Sequence, residues 1–147
     1  MSLVCDDFFF QALKGCDAVS AVVGERIYNP AVPVPDEDLD SVVVPYMVIS
    51  LDSVSNADGD KDEVGESDED TAVVSILVVA ETRKALAKLA CLVRDAIRDY
   101  YENADWDAEE EGYYIADYVF SASGVELDPY KGCVFQTLNY NCVTNKF

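Results

Sequence analysis

The sequence predicts one α+β domain, residues 1–147, in which an antiparallel sheet of about four or five strands packs against two helices. The chain has 147 residues, a length typical of one domain. Half of the residues are hydrophobic, which excludes global disorder despite a net charge of −19. The elements follow one another as helix, β-hairpin, helix, β-hairpin, and runs of antiparallel strands with two amphipathic helices are typical of a sheet covered by a helical layer.

Three segments have helical patterns. Residues 6–15 begin with two acids and end at Gly15, and residues 17–23 form a second turn or short helix with Asp17 as the expected N-cap and Gly24 as its end. Residues 82–101 form the best-defined helix, with Thr82 as N-cap and Asn103 as its stop. At about 100° per residue, its apolar side chains share an arc of about 80°. They are Leu86, Leu89, Val93, Ile97 and Tyr100.

Five segments have strand patterns, namely residues 26–28, 46–53, 71–80, 113–121 and 133–143. The second and third form an antiparallel hairpin, because no helical pattern separates them. Its tip, residues 56–70, is unusually long, which indicates a function. Four prolines between residues 30 and 45 predict an extended loop.

The acidic residues are concentrated in two connections. Nine of the 29 lie between positions 52 and 70, six lie between positions 102 and 111, and Lys61 is the only basic residue in either stretch. The net charge therefore belongs mostly to connections and not to the scaffold. Such an acidic chain repels phosphate backbones, so specific nucleic-acid binding is not expected.

Catalytic motifs are absent from the sequence. With no histidine, Ser-His-Asp and Cys-His arrangements are impossible, and no phosphate-binding glycine motif is present. The five cysteines contain no CxxC pair, so we expect small buried side chains in a reducing compartment. We expect no enzyme activity and no cofactor. No signal-peptide pattern and no long apolar run is present, so we expect no secretion and no membrane association.

One segment of the hairpin tip partly matches a calcium-binding loop. Asp58, Asp60, Asp62 and Glu69 stand at positions 1, 3, 5 and 12 of an EF-hand-like loop. Position 6 is Glu63, where the turn requires glycine, and the flanks are predicted strands where an EF-hand has helices. A solvated hairpin tip is therefore the favoured interpretation.

The long helix carries half of the basic residues on the side opposite its apolar face. This basic face either lies in solvent with pairs inside the helix, which we favour, or meets an acidic surface of a neighbouring subunit. The candidate interaction residues are thus acids of the tip and bases of the helix: Asp58, Asp60, Asp62, Glu63, Glu66, Asp68, Glu69, Lys84, Lys88, Arg94 and Arg98.

Aromatic side chains are interpreted mainly as core. Phe8, Phe9 and Phe10 cannot all face one core from one helix, so at least one of them is expected outside it. Tyr113, Tyr114, Tyr118 and Phe120 are expected to pack against the sheet.

The order of these elements resembles the tail-completion, or tail-terminator, proteins of tailed bacteriophages and prophages. The resemblance rests on the segment VSAVVGERIYN (residues 19–29), the proline-bearing loop, the strand opening VPYMVI at Val44, the charged tip, the long helix and the final hairpin. It covers nearly the whole chain. The very acidic tip and the stretch at residues 102–111 depart from the family pattern.

The resemblance implies a structural role. Such proteins form rings, commonly hexameric, that cap the tail tube, stop its polymerisation and contact the head connector. The implied partners are other copies of the chain, the tail tube protein and the head-connector protein, and the implied location is the virion or the bacterial host cytoplasm. DNA would pass through the ring without specific binding, and the acidic tip would face the channel or the tube. Two alternatives are an acidic DNA mimic that inhibits a DNA-binding enzyme and a calcium-binding interaction module.

Overall fold

The computed structural model describes residues 4–30, 43–56, 69–103, 105–129 and 131–147. Within these ranges two helices precede three strands, and two further helices precede three more strands, as the sequence predicts for an α+β fold. In chain order the elements are α1 (Asp6–Lys14), α2 (Asp17–Val23), β1 (Ile27–Tyr28), β2 (Tyr46–Asn56), β3 (Glu69–Ala80), α3 (Arg83–Glu102), α4 (Ala108–Glu111), β4 (Tyr113–Ala122), β5 (Glu126–Leu127) and β6 (Val134–Lys146).

The strands form one sheet in the order β1-β2-β3-β6-β4, and β5 pairs with β6. The predicted hairpin of β2 and β3 is confirmed, with Tyr46 opposite Val79 and Asn56 opposite Asp70. β5 is a sixth strand that the sequence pattern did not reveal. β1 pairs with β2 in parallel, with Ile27 opposite Met47, and is the exception in an otherwise antiparallel sheet. The long proline-bearing connection permits this pairing, since parallel neighbours need a crossover.

The core lies between one face of the sheet and the helical layer. Every second residue of β3 from Ala72 to Ala80 is buried, which is the period of a strand with one covered face. The opposing α3 side chains are buried as well, including Leu86, Leu89, Val93 and Ile97. Each such aliphatic side chain contributes about 1.5–3 kcal/mol on burial. This layer therefore holds α3 at a fixed position on β3 and β6.

The helix ends follow local chemistry. The Thr82 hydroxyl accepts a hydrogen bond from the Ala85 amide at 3.1 Å, so the predicted N-cap of α3 is confirmed. The predicted N-cap of α2 is wrong by one residue, because Cys16 occupies the cap and Asp17 is the first helical residue. There the carboxylate lies at the positive end of the helix dipole without a capping hydrogen bond.

Several expectations about burial need correction. Cys5, Cys133 and Cys142 are buried as expected, whereas Cys16 is only half-buried and Cys91 is exposed because it lies on the outward side of α3. Phe8 and Phe9 are buried and Phe10 is half-buried. Tyr113 is buried, but Tyr114 points to the other face of the strand and is 41% exposed.

Candidate functional site: the acidic end and the basic face of α3

The sheet register brings both acidic stretches to the same end of the molecule. β3 begins at Glu69, which lies opposite Asn145 of β6, and Asn145 lies opposite Tyr114 of β4. The first stretch joins β2 to β3 at this end, and the second stretch leads into β4 through α4. We call the described part of this region, Glu69, Asp70 and the acids of residues 102–111, the acidic end.

A side-chain network closes the described part of the β2–β3 hairpin. The Asn56 amide donates to the Asp70 carboxylate at 2.8 Å and to the Glu69 carbonyl at 3.2 Å. The Thr144 hydroxyl donates to the Asp70 carbonyl at 3.4 Å. These bonds fix the two points from which residues 57–68 leave the sheet.

Helix α4 lies inside the second acidic stretch, where we expected only a connection. The Asp107 carboxylate accepts from the Glu110 amide at 3.2 Å, and Gly112 ends the turn in the left-handed region at φ 84°. Glu109 and Glu110 are exposed on it. The spacing of Asp107 and Glu110 matches a capping box, and Gly112 follows at the position that favours glycine, so the sequence did contain a signal for this turn.

A cluster of aromatic side chains lies next to the acidic end. The Phe8 ring centroid lies 5.1 Å from that of Tyr100 and 5.5 Å from that of Trp106. The Trp106 indole donates to the Tyr113 carbonyl at 2.9 Å, and the Tyr113 hydroxyl donates to the Val4 carbonyl at 3.2 Å. Burial raises the pKa of Tyr113, and negative charges nearby, including that of Asp7, raise it further.

The basic face of α3 is exposed, as the sequence predicts. Arg98 forms contacts with Asp95 at 3.1 Å and with Asp99 at 3.8 Å, and both pairs are open to solvent. Such exposed pairs contribute about 0–1 kcal/mol. Arg94 forms no ion pair with a described residue. Instead, the guanidinium carbon of Arg94 lies 3.9 Å from the ring centroid of Phe120 on β4.

A shallow groove of about 270 Å³ separates this part of α3 from the sheet. Two arginines stand on one side and aromatic rings form the other. Its lining comprises Cys91, Arg94, Asp95, Arg98, Tyr118, Phe120 and Tyr140. An open apolar depression lined by Ala87, Lys88, Cys91 and Leu92 adjoins it through Cys91. Sequence reasoning missed the groove because it assigned Tyr118 and Phe120 to the core, whereas both are only half-buried.

The other face of the sheet carries few charges among the described residues. Leu77, Thr137 and Asn139 lie on it and are half-buried, and Val119 is 63% exposed. Small hydroxyl groups form its centre. The Ser50 and Ser75 hydroxyl oxygens lie 2.9 Å apart, and both donate to the Asp52 carboxylate at 3.1 Å.

The described residues include no group of side chains arranged to hold a metal ion. Of the calcium pattern, Glu69 belongs to β3, and the flanks are strands as predicted. Asp58, Asp60 and Asp62 lie outside the described residues, as do Glu63, Glu66 and Asp68. Lys84, Lys88, Arg94 and Arg98 are brought together on one exposed helix face. No described helix is long and apolar enough to cross a membrane.

Comparison with known proteins identifies a fold relative. No family model matches the chain, and no curated protein matches it. Among solved structures, a chain of the virion of a native gene transfer agent (GTA) particle is similar, with a TM-score of 0.61 and 16% sequence identity. The match covers 95% of this chain and 93% of that chain. At this identity the similarity establishes a shared fold over nearly the whole chain.

Proposed function

We propose that this protein is a structural component of a phage-like particle, a terminator that forms a ring on the end of the tail tube. In this role it occupies the head–tail junction, where it contacts copies of itself, the tail tube protein and the head connector. It acts by assembly and not by catalysis. The observation that carries the proposal is the fold match over 95% of the chain to a GTA virion component.

The charge distribution supports a role beside a DNA channel. The acidic end gathers Asp105, Glu109 and Glu110 on a connection and a one-turn helix, where they project from the sheet. Carboxylates that face a channel repel the duplex and let it pass without binding. We therefore assign the stretch at residues 102–111 to the channel or to the tube surface.

A DNA-mimic inhibitor is the alternative from another class. A mimic needs carboxylates spaced along rigid elements in the manner of phosphates. In the described residues β6 carries no acid from Val134 to Lys146, and α3 carries more bases than acids between Arg83 and Arg98. This placement favours the ring.

The decisive experiment adds purified protein to tail tube protein during polymerisation and follows tube length by electron microscopy. A terminator caps tube ends with a ring and stops elongation in a concentration-dependent way. Ovalbumin, an unrelated acidic protein, serves as the control for charge alone. Unchanged tube growth without end-bound protein would overturn the proposal, and inhibition of a nuclease by the monomer would support the mimic instead.

A further inference from the structure

The groove between α3 and β4 has Arg94 and aromatic side chains in its lining. We propose that it is the docking site for the acidic connection, residues 57–68, of a second copy of this chain. The inference deepens the proposed function and rests on it, since it names the contact between neighbouring subunits of the ring. It joins the acidic and the basic candidate residues of the sequence into one interface.

The groove presents an arginine that lies over an aromatic ring. Because the Arg94 guanidinium carbon lies 3.9 Å from the Phe120 ring centroid, the ring covers one side of the guanidinium, and no described side chain pairs with its N–H groups. Arg94 forms no ion pair with any described residue. A supported guanidinium favours a two-pronged contact with a carboxylate, because less side-chain freedom is lost on binding.

The surroundings of Arg94 fit an acidic peptide segment with an apolar residue. Arg98 also lines the groove but is paired with Asp95, so Arg94 is the groove cation without an ion pair to a described residue, and Lys88 stands beside the adjoining depression. The depression itself is apolar, with Ala87, Cys91 and Leu92 in its lining. An apolar centre with charged groups at its rim is the usual composition of a subunit contact.

The proposed occupant has the complementary composition. Residues 57–68 contain six acids and one lysine, a net charge of −5, together with Val64. A chain with a net charge of −19 has few cationic surfaces that could face such a segment, and the basic face of α3 holds half of all its Lys and Arg residues. Charge complementarity therefore favours this face over the rest of the described surface.

The ring of the proposed function requires the occupant to come from a second copy, and the groove and the connection start from different strands of the sheet. The groove lies beside β4 at one margin of the sheet, whereas residues 57–68 leave from β2 and β3. β2 and β4 are three strand spacings apart, about 14 Å. When the groove of one copy binds the connection of the next, every contact is head-to-tail. Such contacts close into a ring when the rotation between neighbouring subunits adds up to a full turn.

The second acidic stretch fits this contact less well. Residues 102–111 follow directly on α3 and lie on the same side of the sheet as the groove, since the Tyr101 ring makes an edge-to-face contact with that of Tyr118. A contact through these residues would place the groove and its acidic ligand next to each other on one side of the subunit. This arrangement favours a two-fold symmetric dimer over a ring. The connection at residues 57–68 thus contacts a neighbouring subunit and does not face the channel.

Disulfide trapping tests the contact directly, because the exposed thiol of Cys91 already lines the groove. The Asp60→Cys variant is treated with diamide, which accepts the two electrons and two protons that the two thiols lose. We expect a ladder of disulfide-linked dimers and larger species on non-reducing gels. Addition of Cys91→Ser to the same variant should abolish the ladder.

The matched control is Glu110→Cys, which introduces a thiol in the other acidic stretch. We expect at least about tenfold less cross-linked product from it. Equal ladders from both variants, no ladder from Asp60→Cys, or a disulfide formed within one chain would each overturn the proposal.

Charge exchange provides an independent measurement on the reduced protein. At low salt, Arg94→Glu and the double variant Asp60→Lys with Asp62→Lys should each weaken self-association by roughly tenfold in light scattering, and an equimolar mixture of the two should restore it. Arg83→Glu makes the same charge change as Arg94→Glu outside the groove and should alter association by less than about twofold. Failure of the mixture to restore association would overturn the pairing.

The tube-capping assay separates the two proposals. If the wild-type protein caps tubes and Asp60→Cys is not trapped, only the docking contact is wrong. If the ladder forms and tubes grow unchanged, the terminator function is wrong while the contact stands.

Discussion

The guanidinium carbon of Arg94 lies 3.9 Å from the ring centroid of Phe120, and this contact connects the outer side of α3 to β4. It leaves the cation at the surface while the ring screens one of its faces. The contact therefore has a modest effect on stability and a larger one on the orientation of the arginine.

Replacement of Arg94 by alanine should lower the free energy of unfolding by about 0.5–1 kcal/mol, the usual contribution of an exposed cation–π pair. Urea unfolding followed by circular dichroism measures it. Arg83→Ala, on the same helix but without a ring contact among the described residues, should change the free energy by less than about 0.5 kcal/mol. Equal losses in the two variants would show that the ring contact contributes nothing.

Replacement of Thr82 by alanine should destabilise the protein by about 1 kcal/mol, because the Ala85 amide loses its capping acceptor. Thermal unfolding measures the change. Thr82→Ser retains the hydroxyl and should stay close to the wild type. If serine were as destabilising as alanine, the cap would not be the source of the effect.

Gly112 ends α4 at φ 84°, a conformation that L side chains rarely adopt. Gly112→Ala should therefore cost about 1 kcal/mol or more in the free energy of unfolding. Gly124→Ala is the matched control, since a Cβ there meets no atom within 4 Å. A loss in the control as large as at Gly112 would contradict the role of the backbone angle.

Stability should fall as pH rises above about 10, the ordinary pKa of tyrosine. Burial raises the pKa of both Tyr113 and Tyr140 in the folded protein. The unfolded chain therefore loses these protons at lower pH than the folded protein does, and alkaline pH favours unfolding. Tyr113→Phe should flatten the decrease of the unfolding free energy with pH.

Thr82→Ala serves as the control for that measurement, because it lowers stability without removing a titrating group. Its unfolding free energy should fall with pH as steeply as that of the wild type. An unchanged alkaline slope in Tyr113→Phe would contradict the assignment.

Cys91 should react with a thiol reagent in the native protein much faster than Cys5 and Cys142. The latter two are buried, and a hydrogen bond that the Cys5 thiol donates to Cys142, together with burial, raises the pKa of the Cys5 thiol. Absorbance after addition of Ellman's reagent measures the phases. Cys91→Ser should remove the fastest phase of the absorbance change. If that phase were unchanged in the variant, a thiol other than Cys91 would be the accessible one.

Periodic segments were predictable from local pattern alone. The apolar residues of α3 recur with the helical period, and Thr82 marks its start, so this helix was expected within one residue of its observed bounds. β2 and β3 were shorter in the prediction than in the structure, because Asn56, Glu69 and Asp70 are polar residues with poor strand propensity that pairing nevertheless includes. α4 was missed although its capping box was present.

By itself the sequence determined which segments are helices and strands, which of their faces are apolar, and that the acids collect on connections, since periodicity and turn chemistry act over a few residues. Only the tertiary structure decided that the two acidic stretches share one end and that Arg94 stands over Phe120. Both relationships depend on strand order and register, which join residues distant in the chain through packing of the sheet against the helices.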